Sequence, residues 1–180
     1  SAASDVYKRQ IHVLVVDNQF KQCLNIFYYL SFFKNRIMPK INISKSLHIN
    51  AKPADVFSKI NDYHHWETWS PWLIMEEGVK LDIQSDGKAY SWIGKRTGEG
   101  KMKVTNEKQD ESLEMDLNFI KPFKSFAKVG FTVKPDGEGT NVTWTMDSSL
   151  PFFLFFMKKM MVAGVGMDYE RGLKMLKDFV

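Results

Sequence analysis

Few residues in this chain have both the type and the setting to do chemistry. His64 and His65 open the stretch HHWETWSPW at residues 64–72. Neighbours on a helix point about 100° apart, so this pair cannot readily share one ion. Zinc needs three or four convergent ligands; His12 and His48 stand elsewhere, His48 on the polar side of its strand. No metal is expected, and the two histidines read as surface or capping residues. Cys23 is the single cysteine, which excludes an intramolecular disulfide or a multi-cysteine zinc site. It has no base placed beside it by the sequence. There is no G-x-S-x-G elbow. GKRTGEG at 94–100 lacks the spacing and the strand-to-helix setting of a phosphate loop. Its glycines suit a turn and a close backbone approach. No cofactor is expected and no catalytic residue is assigned. The best polar candidate on an inward face is Tyr90, with Asp168 and Tyr169 possible from the last helix. The Tyr90 hydroxyl would either orient a ligand carbonyl or complete a hydrogen bond in the core.

The remaining signal is apolar. Trp66 and Trp69 are three residues apart and share a helix face. Trp92 and Trp144 fall on the apolar side of their strands, as do Met102, Met115, Leu117, Phe119, Phe131 and Met146. Met157, Met161 and Val165 share a stripe of the last helix. Two readings stand side by side: these side chains fill a core, or some of them line a pocket. Methionine in such a wall would adapt to varied ligands. A pocket of this kind encloses about 300–1,000 Å³ and carries few polar groups.

The elements that must position these residues are legible from periodicity. Residues 41–49 alternate, with Ile41, Ile43, Leu47 and Ile49 on one face of a strand. KPADVFSKINDY then reads as a short helix with Pro53 in its first turn and Val56, Phe57 and Ile60 as its stripe. HHWETW continues as a second short helix, closed at Ser70 by the following proline. Alternation predicts six more strands, at 79–84, 88–93, 101–105, 113–120, 126–134 and 140–147. One polar and one apolar face throughout means an antiparallel sheet with one side in water. The cover for the other side is an amphipathic helix of seven or eight turns over 151–180, with Ser149 as its N-cap. Within it FFLFF at 152–156 puts large apolar groups on every side of a turn. Some of these must be exposed or border a cavity mouth.

The chain has 180 residues, of which 44% are hydrophobic and 14% aromatic, enough for a real core. The net charge of +4 is uneven: residues 1–39 carry +3 and the remainder only +1. A nearly neutral body lacks the basic footprint of a nucleic-acid-binding domain. Residues 1–39 read as an extension: a polar tail, SAASDVYKRQ, and a short apolar segment. Only 12 residues separate Lys21 from Lys34, short of the about 20 that span a bilayer. Residues 20–33 could instead lie in a headgroup region or pack on the body. Residues 40–180 form the predicted domain, and the expected setting is cytoplasmic, with peripheral membrane association through 20–33 as the alternative to packing on the body.

The stretches INAKPADVFSKINDYHHWETWSPW (49–72), YSWIGKRTGEGKMKV (90–104), GTNVTWTM (139–146) and GMDYERGLKMLK (166–177) resemble the START-like superfamily, and within it the bacterial polyketide-cyclase-like branch. The resemblance covers about residues 40–180. It implies an α+β helix-grip fold: a curved antiparallel sheet of about seven strands, two short helices after the first, and a long C-terminal helix over the concave face. It also implies a cavity between sheet and helix that holds a small hydrophobic molecule such as a lipid, quinone, isoprenoid or polyketide-like compound. It implies no particular reaction. A cyclase or dehydratase acting in the same cavity is the alternative.

Overall fold

The computed structural model describes residues 40–150 and 152–180. The apolar segment at 11–37, with His12 and Cys23, and Pro151 lie outside the described residues. Strand β1 (Lys40–Ile49) buries Ile41, Ile43 and Ile49 while Lys40, Asn42 and Ser44 face out. Helix α1 (Pro53–Ile60) starts with proline at its first position, where a missing N–H costs nothing, and buries Val56, Phe57 and Ile60. A single 3₁₀ turn, Tyr63–His65, follows; the Asp62 side chain caps it by accepting the His64 N–H at 2.9 Å. Helices α2 (Trp66–Trp69) and α3 (Pro71–Ile74) are separated by Ser70, whose ψ of 120° is extended, as a residue before proline prefers.

Six strands follow: β2 (Lys80–Ile83), β3 (Ala89–Ile93), β4 (Glu99–Lys108), β5 (Ser112–Lys121), β6 (Ser125–Asp136) and β7 (Gly139–Ser149). They form an antiparallel meander, and β1 closes it by pairing with β7, giving the order β1-β7-β6-β5-β4-β3-β2. Register shifts at Glu99/Gly100 and Val104/Asn106 interrupt the β4–β5 ladder, the kind of irregularity that bends a strand. Gly87 sits at φ 65° in the β2–β3 turn, a conformation that favours glycine. The Gly87 carbonyl accepts the Tyr63 N–H at 2.9 Å, tying this turn to the short helices.

The long helix, α4 (Lys158–Phe179), is preceded by a 3₁₀ segment, Phe152–Met157. It is therefore about six turns rather than seven or eight, and Ser149 ends β7 instead of capping the helix. Tighter 3₁₀ turns are common where a helix begins. Phe155 and Phe156 are exposed there, as FFLFF led one to expect. The face of α4 that meets the sheet carries Gly166, Tyr169, Gly172, Leu173 and Leu176. Gly172 makes the approach possible: a Cβ at this position would lie 2.7 Å from Trp144 Cζ3 and 3.0 Å from Pro71 Cδ. Among the described residues, no helix is long and apolar enough to cross a membrane.

Candidate functional site

The concave face of the sheet is divided in two. Over one half, Trp66 and Trp69 of α2 are fully buried against Phe131 and Trp144. Their indole N–H groups donate to the carbonyls of Ile60 at 2.8 Å and Lys59 at 3.1 Å. Those carbonyls end α1, where a helix leaves acceptors without internal partners. The first two tryptophans of HHWETWSPW thus hold α1 and α2 together and cover the sheet. Phe131 lies beneath them, and Leu113, Met115 and Val142 are likewise fully buried.

Over the other half α4 stands away from the sheet, leaving a cavity of about 350 Å³. Tyr90 and Trp92 of β3, Met102 of β4, Leu117 and Phe119 of β5, and Trp144 and Met146 of β7 form its sheet wall, with Met161 and Val165 from α4. All nine are among the cavity candidates read from the sequence. Trp66, Trp69, Met115, Phe131 and Met157 do not line the cavity: the first four are fully buried core, and Met157 is a half-exposed residue just ahead of α4. The reason is positional. Alternation assigns a residue to a face of the sheet, but the helix lying across that face decides which half remains open.

Several wall residues were not singled out. Trp72 is the principal one, with its ring 5.4 Å from Trp144 and 5.6 Å from Tyr169. Its signal was Pro71, which restarts the helix and turns Trp72 away from the face of Trp66 and Trp69. Ala127 and Val129 belong to the wall and lie on the predicted inward face of β6. Tyr169 also belongs to it, but Asp168 does not.

The polar groups of the wall fall into two sets. At one end, Arg96 and Thr97 sit in the β3–β4 loop beside Met75 and Phe123. Glu76 organises that loop by accepting the N–H groups of Lys95 at 2.6 Å, Arg96 at 3.0 Å and Thr97 at 2.9 Å. The Thr97 N–H, then those of Arg96 and Lys95, hold the Glu76 carboxyl below its ordinary range. Trp92 donates to the Thr97 carbonyl at 3.2 Å, and its ring occupies the space a Gly100 side chain would fill, which is the close approach read from GKRTGEG.

At the other end, against α2, stand Tyr90 and Tyr169. Tyr90 is 7% exposed and Tyr169 1%. Neither hydroxyl has a hydrogen-bond partner among the described residues, so Tyr90 does not complete a core hydrogen bond. Burial pushes both phenols well above their ordinary range, and for Tyr169 the nearby Tyr90 adds to the shift. Both therefore keep their protons at any physiological pH.

Among the described residues, the histidines do not line the cavity. His64 Nδ1 lies 2.7 Å from Asp62, and His48 Nδ1 lies 3.1 Å from Asp136, both on exposed surface. Among the described residues, no group of three or more His, Cys, Asp or Glu side chains is placed to hold a metal ion.

A curved antiparallel sheet gripping a C-terminal helix around an apolar cavity defines the helix-grip class. The sequence model of the family described as polyketide cyclase / dehydrase and lipid transport matches residues 40–180, and the chain belongs to that family. No curated protein matches the sequence. Solved structures share the fold at low identity. Protein MLL2253 from Mesorhizobium loti superposes with a TM-score of 0.59 at 17% identity, over 77% of this chain and 95% of its own. XoxI from Bacillus cereus gives 0.60 at 15% identity, over 76% and 93%. The Aha1 dimer from Colwellia psychrerythraea gives 0.53 at 17%, over 77% and 94%.

Proposed function

We propose that the protein binds a small hydrophobic molecule in the cavity between the sheet and α4. One observation carries this reading: a cavity of about 350 Å³ bounded mainly by aromatic, Met, Leu and Val side chains lies in a domain otherwise closely packed. The family's description, which includes lipid transport, supports it. Burial of apolar ligand surface would drive binding at about 25 cal/mol per Å², less the cost of ordering the ligand. A ligand of about 20 heavy atoms at about 0.3 kcal/mol each would bind in the tens of micromolar range. Binding is favoured over the cyclase or dehydratase alternative by the wall's chemistry. Among its described residues there is no carboxylate or imidazole, and its two phenols hold their protons.

The test is titration with the fluorescent probe N-phenyl-1-naphthylamine. The native chain should bind one probe and release it to competing lipids or quinones. Ala127→Phe, which projects a ring into the cavity, should retain the fold by circular dichroism and lose the probe. Equal binding by both proteins, or by neither, would remove the cavity as the binding site.

A further inference from the structure

The cavity is not uniformly apolar, and its polar groups point to a ligand class. Two groups able to donate a hydrogen bond meet at the end against α2. Tyr90 and Tyr169 contribute hydroxyls with no described partner. The ring of Trp144 is also in the wall, but its Nε1 is fully buried and out of a ligand's reach. The rings are neighbours: Trp144 and Tyr169 stack with centroids 4.1 Å apart, and Trp66 contacts both Tyr90, at 6.5 Å, and Trp144, at 6.0 Å. A neutral phenol donates better than it accepts, because its lone pair is delocalised into the ring. A hydroxyl left without a partner in an apolar setting forgoes a hydrogen bond, so a ligand that pairs it has an advantage one without a polar atom lacks. No cation stands at this end to balance a buried carboxylate, since the wall's one charged residue, Arg96, is in the loop at the other.

Resting on the reading of the cavity as a ligand site, we infer that its occupant is a neutral apolar molecule carrying a carbonyl-type oxygen, held between the hydroxyls of Tyr90 and Tyr169. The rest of the molecule would extend past Trp92, Phe119 and Met146 toward the β3–β4 loop. Such a site distinguishes ketones, quinones and esters from hydrocarbons of the same shape.

The test compares benzophenone with diphenylmethane, which differ in the carbonyl alone, by displacement of N-phenyl-1-naphthylamine from the full chain. The native protein should bind the ketone about tenfold tighter. Tyr90→Phe, Tyr169→Phe and the double variant keep the rings and should fold. The double variant should lose the preference while holding diphenylmethane at least as well. The ketone's carbonyl stretch should move to lower frequency on the native protein and not on the double variant. Equal affinities on the native protein, or a preference that survives both substitutions, would overturn this inference and leave the cavity reading intact. Failure of both compounds to displace the probe would overturn the inference with the cavity reading.

Discussion

Two glycines of α4 make a paired test of how the helix meets the sheet. On propensity alone, each Gly→Ala change in a helix interior stabilises by about 1 kcal/mol. At Gly164 nothing lies within 4 Å of the added Cβ, so that gain should be realised. At Gly172 the Cβ would meet Trp144 Cζ3 at 2.7 Å and Pro71 Cδ at 3.0 Å. Ordinary carbon contacts are about 3.5–4.0 Å, so one side must retreat by about 1 Å. Neither can do so readily. Trp144 is stacked on Phe131, with centroids 4.7 Å apart, and on Tyr169, while Pro71 is fixed in the first turn of α3. Overpacking of this kind costs about 1–3 kcal/mol, and its midpoint of about 2 leaves a net loss of about 1 kcal/mol after the helix gain. A domain of this size shifts by about 2–4 °C per kcal/mol. Thermal melts followed by circular dichroism should therefore show Gly164→Ala raised by about 2–3 °C and Gly172→Ala lowered by about 3 °C or more. A Gly172→Ala protein as stable as Gly164→Ala would refute the close approach and the cavity geometry that depends on it.

Two further outcomes follow from the polar groups. The Tyr63 hydroxyl is buried without a partner, while its ring packs edge-on against Trp66 and Tyr90 at 4.9 and 4.7 Å. Tyr63→Phe should leave the melting temperature unchanged or raise it; a loss above about 1 kcal/mol would mean the hydroxyl is bonded after all. The Glu76 carboxyl is held below its unfolded value by the loop N–H groups. Its contribution is therefore complete above the ordinary carboxylate pKa of about 4.3 and is lost as pH falls through the lowered folded value. The Thr97 amide resonance should report a titration with its midpoint below about 4.3 in the native chain and none in Glu76→Gln. A midpoint at or above that value would show that the loop is not held by the carboxylate.

The sequence by itself determined the order of elements and the face to which most side chains point. Period-2 alternation placed Tyr90, Trp92, Leu117 and Trp144 on the concave side, because a strand's geometry leaves only two choices. Pro53 marked a helix start and Pro71 the close of the helix before it for equally local reasons, the fixed φ, the missing N–H and the restriction on the residue before a proline. What tertiary structure alone decided was which inward residues meet space and which meet protein. Leu117 and Phe119 border the cavity, while Met115 and Leu113, two and four residues before Leu117 on the same face, are sealed in the core. That difference depends on where α1 and α2 lie across the sheet, and so on the indole bonds from Trp66 and Trp69 to the end of α1. The unpaired state of the Tyr90 hydroxyl was likewise invisible, because a hydrogen bond depends on every group within about 3 Å, including groups far away in the chain. Local spacing fixes direction; the distance between α4 and the sheet, set by Gly172 against Trp144 and Pro71, fixes whether a ligand has room.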